Sequence, residues 1–133
     1  MLTMTFDDWR GFDVNAQTIN DPSWEEVRNA IESLNQQSRT EVLLQSESGD
    51  EFLIGGGNDR FIVCLTTADD RNLTLVNPSG SGVVKERVVA SGQPGDFRSN
   101  IVVRLEAALR AAKAFVITGT LAADQTWESA KGS

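Results

Sequence analysis

The chain has no histidine and a single cysteine among its 133 residues. Without histidine it lacks the side chain that most often serves as general base, and with it the usual catalytic triad and most zinc-site arrangements. Cys64 alone makes neither an internal disulfide nor a thiolate cluster. It lies in the apolar run Phe61-Ile62-Val63-Cys64-Leu65, where a small buried residue is the ordinary role. Long apolar stretches are missing too: Phe61 to Leu65 and Ala111 to Ile117 fall far short of the roughly 20 residues a membrane-spanning helix needs. No basic, then apolar leader opens the sequence, since MLTMTFDDWRGFD turns acidic. A cytoplasmic location is therefore expected, with no membrane association. Positive charge is scarce: net charge is −7, which argues against nucleic acid as a direct ligand.

Length and composition fit one globular domain, with 40% hydrophobic and 23% charged residues and room for a single core. The charge is unevenly placed. Up to Glu51 eleven acids face Arg10, Arg28 and Arg39, and from Phe52 onward eight acids face nine bases. A soluble, self-repelling surface accounts for this, as does a face shaped for a basic partner.

Residues 1–20 show no sustained period. Phe6, Trp9, Phe12 and Val14 are expected to anchor this N-terminal arm or edge segment against a domain spanning 21–133. After Asn20-Asp21-Pro22-Ser23 a helix begins, capped by Asp21 with Pro22 at its first position, or by Ser23 with Glu26 completing a capping box. Trp24, Val27, Ile31 and Leu34 form its apolar stripe. From Thr40 to Ala90 short runs of Val, Ile, Leu, Phe and Thr alternate with turn residues. Five antiparallel strands are expected: 41–45, 51–54, 60–66, 73–76 and 83–89. The turns between them include Ser48-Gly49-Asp50 and Gly55-Gly56-Gly57-Asn58, and a loop is expected at Ser91 to Asp96. Ile101 to Val103 reads as extended. A second helix runs from about Arg104 to Thr118, with Leu105, Ala108, Leu109, Ala112, Phe115 and Val116 on one stripe and Gly119 as terminator. Two one-sided helices covering one face of a meander make a two-layer α+β domain.

The residues that invite chemistry have simpler explanations. Asp7-Asp8, Glu25-Glu26 and Asp69-Asp70 are sequence neighbours whose carboxylates point apart on helix or strand. Asp69-Asp70-Arg71-Asn72 carries an arginine where a calcium loop alternates oxygen ligands. Gly55-Gly56-Gly57 precedes an apolar strand and lacks the Lys-Ser/Thr ending and helix N-terminus of a phosphate loop. No catalytic, cofactor or metal residues are assigned. Trp24 is expected in the core; Trp127 either pins the tail down or is exposed for a partner; Trp9 beside Asp7 and Asp8 suits an acidic, aromatic contact patch.

The order of motifs resembles the Imm1 family of immunity proteins from bacterial polymorphic toxin systems. The stretches are Pro22-Ser23-Trp24 with Ala30-Ile31 and Leu34; Leu53-Ile54-Gly55-Gly56-Gly57 before Phe61-Ile62-Val63; and Leu75-Val76-Asn77-Pro78. Gly92-Gln93-Pro94-Gly95-Asp96-Phe97, Ala107-Ala108-Leu109-Arg110-Ala111-Ala112 with Phe115 and Gly119, and Trp127 follow. Trp24, Gly55, Gly56, Gln93, Pro94, Gly95 and Trp127 are the fold-defining positions. Arg104 departs from the acidic helix cap expected there. The resemblance implies a non-enzymatic, cytoplasmic protein without a cofactor that binds a cognate toxin domain and protects the producing cell.

The contact set expected from composition is Asp7, Asp8, Trp9, Asp13, Glu25 and Glu26, covering the substrate surface of a basic toxin such as a nuclease. Two other readings stand beside it: an interaction adaptor with another protein target, and a small-molecule site beside Gly55 to Asn58 and Gln93. The oligomeric state is left open.

Overall fold

A computed structural model describes residues 1–129. In chain order its elements are β1 (Thr3–Phe6), β2 (Trp9–Arg10), β3 (Asp13–Val14), β4 (Gln17–Asn20) and α1 (Trp24–Glu32). Then come β5 (Glu41–Gln45), β6 (Glu51–Gly57), β7 (Arg60–Thr66), β8 (Asn72–Leu75), β9 (Lys85–Ala90), β10 (Gln93–Arg98), a 3-10 turn (Ser99–Ile101), α2 (Leu105–Thr118) and β11 (Trp127–Ser129).

Seven strands form one antiparallel sheet in the order β11-β8-β7-β6-β5-β1-β4. Strict alternation along β6 and β7 separates its faces. Phe52, Ile54, Phe61, Val63 and Leu65 face the helices, with Val27, Ala30, Ile31 and Leu34 of α1 and Ala108, Ala111, Ala112 and Phe115 of α2 above them. The alanines let α2 approach closely, and Phe115 stacks on Phe52 with ring centroids 4.9 Å apart. On the other face Ile62 packs with Val88 of β9 and with Val102, Cys64 and Phe97 closing the cluster. The architecture is α+β with both helices on one face of the sheet.

The capping box at α1 is the Ser23 alternative: Ser23 Oγ accepts from the Glu26 N–H at 3.1 Å, and Glu26 Oε1 accepts from the Ser23 N–H at 3.0 Å. The helix α2 ends at Gly119, whose φ of 73° completes the left-handed cap.

Several expectations change. The first four meander strands are sheet neighbours, but the fifth leaves the sheet. It starts at Lys85, after exposed Val83 and Val84, and pairs with β10 across the back. The loop expected over Ser91–Asp96 shrinks to Ser91 and Gly92, both with positive φ (53° and 76°), as a two-residue hairpin turn requires. Gln93, Pro94 and Gly95 are therefore strand residues; Pro94 is tolerated because this hairpin is an edge, where a missing N–H breaks no central ladder. Ile101–Val103 holds no strand: a 3-10 turn carries the chain to Val103, which forms an isolated bridge with Phe61. The main sheet gains strands the periodicity did not show, β1 and β4 from the first 20 residues and β11 around Trp127.

Gly55, Gly56 and Gly57 do not make a turn. They continue β6, and the reversal is Asn58-Asp59, both left-handed (φ 55° and 62°). Glycine is needed because neighbouring segments lie against the strand: a Cβ on Gly55 would sit 2.6 Å from the Ala90 Cβ, and one on Gly57 would sit 2.5 Å from the Leu34 carbonyl oxygen. The part of the suggested small-molecule groove beside Gly55 to Gly57 is thus filled by β9 and the α1–β5 connection, and only Asn58 borders an open recess.

Candidate functional site

Between β1 and β4 the chain makes a short excursion, the β2–β3 hairpin. Trp9 pairs with Val14 and Arg10 with Asp13, leaving Gly11-Phe12 as a two-residue turn. Gly11 has φ 64°, the sign such a turn needs at its first central position. Two strands of two residues have almost no stability of their own. The hairpin is held from below.

Asp7 does the holding. It is 5% exposed, and its carboxylate accepts four hydrogen bonds. Oδ1 takes the N–H groups of Thr40 (2.8 Å) and Glu41 (3.0 Å). Oδ2 takes the Trp9 indole N–H (2.8 Å) and the Thr40 hydroxyl. Thr40 Oγ1 in turn accepts the Gly92 N–H at 2.8 Å. A buried carboxylate is tolerated only when its lone pairs are satisfied in this way. The Trp9 ring then lies against Gly92, where a Cβ would come within 2.6 Å of Cζ2, and the Trp9 backbone N–H donates to the Ser38 carbonyl at 2.7 Å. One carboxylate thus ties together β1, the start of β5 and the β9–β10 turn, with Trp9 clamped in the middle.

Asp8 is also buried. Its carbonyl accepts from Asn15 N–H at 2.9 Å, closing the hairpin, and its carboxylate faces Arg10 Nη2 at 3.4 Å. Neither Asp7 nor Asp8 presents a free carboxylate to a partner, which corrects the expectation that both lie on an open acidic face. For Asp7 the reason is the set of N–H donors from Trp9, Thr40 and Glu41, and for Asp8 the pairing with Arg10; sequence neighbours do not reveal the first. Trp9 is half-buried as the hairpin's anchor. Asp13 and Glu25 are exposed, and Glu26 is exposed but engaged in its capping box. These acids do not form one compact patch with the hairpin. The helix α1 starts at the Thr3–Asn20 end of the β1–β4 pair, and the hairpin leaves from the Phe6–Gln17 end.

Phe12 and Val14, both expected to anchor the arm, are exposed. Phe12 is 101% exposed at the hairpin tip, with Val14 half-exposed beside it. A Gly-Phe pair within two residues of acids carries the local signal for a turn, but whether its ring meets the core depends on where the hairpin points.

A second cluster lies near the start of α2. Arg104 is its N-cap residue and makes no side-chain cap bond. The missing acid arrives from the β6–β7 turn: Asp59 Oδ1 accepts the Leu105 N–H at 2.8 Å, and Oδ2 accepts Arg104 Nη1 at 2.7 Å. The Leu105 N–H and then the Arg104 guanidinium hold the Asp59 carboxyl below the usual carboxylate range. Asp59, Arg60, Glu86 and Arg104 line a polar recess of about 310 Å³, with a second ion pair between Arg60 and Glu86 at 3.7 Å. Gln93 is not part of it. Burial pushes the Cys64 thiol up from its ordinary value, which suits a packing role.

Trp127 sits in β11 opposite Leu75, with its ring edge-on to Phe52 at 6.1 Å, and so pins the tail to the core. Trp24 packs against the same core. Among the described residues, no group of three or more Cys, Asp or Glu side chains is placed to hold a metal ion, and no helix is long and apolar enough to cross a membrane.

Fold and site together define a small α+β domain with both helices on one face of its sheet. The family model described as Immunity protein Imm1 matches residues 16–129. The chain belongs to the Imm1 immunity protein family, which implies a toxin-neutralising function exercised by binding a cognate toxin protein. A search among curated proteins finds none that matches this sequence.

Proposed function

We propose that this protein acts in the cytoplasm, without catalysis, as the immunity partner of a toxin domain whose substrate surface it covers. The observation that carries this reading, beyond family membership, is the placement of negative charge. Eleven of the nineteen acids precede Phe52. With Asp7 and Asp8 turned inward, the exposed ones nearest the sheet edge are Asp13 before β4 and Asp21, Glu25 and Glu26 after it. This places acids at both ends of an edge strand, a distribution suited to a basic partner such as a nuclease. Complementary charge speeds encounter and helps select the partner.

Calorimetric titration of the intact protein with the toxin domain encoded beside its gene, at low and high salt, tests the proposal. Tight binding that weakens as salt rises is the expected result. Tight binding insensitive to salt keeps immunity but moves the contact to apolar residues. Absence of binding removes the immunity reading for that toxin.

A further inference from the structure

We propose that the tip of the β2–β3 hairpin is a plug, with Phe12, flanked by Val14, entering an apolar recess on the toxin domain. This rests on the immunity reading above and names the contact that reading leaves open. It stands on the hairpin's own geometry, because the family match begins at residue 16, after the hairpin ends.

Single apolar side chains on a surface are ordinary and need no explanation. Phe12 differs in how it is held. The hairpin contributes little to its own domain beyond Trp9, yet a buried carboxylate with four donors, a threonine hydroxyl and a side-chain-free Gly92 all fix its base. The ring presented at the end is fully solvated. Trp9 and Val14 are register partners and share one side of the hairpin, whereas Arg10 and Asp13 share the other. An apolar stripe therefore runs from the anchored indole to the free ring, with charge on its reverse. A rigid aromatic carried forward on a fixed base loses little conformational entropy on binding, which is what makes aromatic anchors effective at interfaces. Between the tip and the base of the hairpin a cleft of about 210 Å³, lined by Gly11 and Phe12 on the tip side and by Trp9, Gln37, Val89 and Gly92 behind them, leaves space for the rim of such a recess. Asp13 beside the tip suits a recess with basic residues around its mouth.

The test uses the intact chain and its Phe12→Ala and Phe12→Asp variants, with Val83→Ala as an exposed control elsewhere, each titrated with the toxin domain. Melting temperature should be unchanged, because the ring meets nothing in its own fold. Phe12→Ala should weaken binding by about 30-fold or more, the scale of an interface hot spot, chiefly through faster dissociation and with the salt dependence preserved. Hydrogen exchange at the Gly11 and Phe12 amides should slow in the complex. If wild type binds tightly while Phe12→Ala stays within about threefold of it and the tip amides exchange as before, the plug is wrong and immunity stands. Failure of wild type to bind removes both. If the tip instead mediates self-association that Phe12→Ala abolishes with toxin binding intact, its occupant is a second copy and the proposal is overturned.

Discussion

Asp7 and Thr40, 33 positions apart in the chain, are joined twice: the Thr40 N–H donates to Asp7 Oδ1 at 2.8 Å, and its hydroxyl donates to Oδ2. The pair is the foundation of the β2–β3 hairpin. Asp7→Ala would leave the Thr40 and Glu41 N–H groups and the Trp9 indole without their acceptor. At about 1–3 kcal/mol for each buried group left unsatisfied, less what water recovers, the expected loss is on the order of 3 kcal/mol. Thr40→Val keeps the shape but strips the Gly92 N–H of its acceptor and removes one donor to Asp7, so about 1–2 kcal/mol is expected. Urea denaturation of the two variants measures both, and equal stability of Asp7→Ala and wild type would contradict the role assigned to this carboxylate.

Gly92 is bound to the same unit by sterics. An alanine there must adopt φ near 76° and place its Cβ 2.6 Å from Trp9 Cζ2. Trp9 has to move. Gly92→Ala should destabilise by at least about 1 kcal/mol and should alter the near-ultraviolet circular dichroism of the tryptophans. An unchanged spectrum would mean the turn shifts and leaves the indole in place.

Asp59 supplies the N-cap of α2 from outside the helix. Asp59→Ala should cost about 1 kcal/mol, the usual worth of a helix cap, and Arg104→Ala less, since its ion pair is exposed. The pH dependence has a definite sign. The carboxyl is held below its ordinary value of 3.8 by the Leu105 N–H and then by Arg104, so the folded state favours the ionised form. Its contribution is present in full above that value and is lost as pH falls through the depressed folded value. Asp59→Asn should accordingly flatten the acid limb of the stability profile below about pH 4 and leave the neutral region with a constant offset, as thermal melts across pH can show.

Charge at the β4 edge should act on the association rate. Asp13→Lys and Glu25→Lys are expected to slow association with the toxin domain at low salt, with the difference shrinking as the Debye length falls from about 10 Å at 0.1 M to 3 Å at 1 M. Glu26→Gln is the better probe at its position, because glutamine retains the capping box while removing the charge. Stopped-flow rates that do not respond to any of the three would place the contact elsewhere.

The first 15 residues show how far sequence alone reached. The acids and aromatics around Trp9 stand out in a linear reading, yet their roles came out inverted. Asp7 and Asp8, legible as exposed charge, point inward, and Phe12, legible as an anchor, points outward. Local spacing carries no information on which N–H donors a carboxylate will meet 33 positions away, or on the direction in which a two-residue turn aims its tip. The same limit explains Gly55-Gly56-Gly57 and Gln93-Pro94-Gly95. Both contain turn-forming residues, and both lie in strands because the actual reversals, Asn58-Asp59 and Ser91-Gly92, use two positive-φ residues next door.

Where a property depends on neighbours within about one turn of chain, the residues settled it unaided. The apolar stripes of both helices, the left-handed stop at Gly119 and the α+β class all follow from short-range periodicity and capping chemistry, whereas the choice of Ser23 over Asp21 as the cap of α1 was made by the structure. The motif order likewise marked the Imm1 family before any coordinates. Only the tertiary structure decided that β1 and β4 complete the sheet, that β9 and β10 fold behind it, that Asp59 caps a helix 46 positions later, and that Phe12 stands free. Each depends on long-range pairing, in which a donor or an apolar face is satisfied by whichever distant segment the whole fold brings to it.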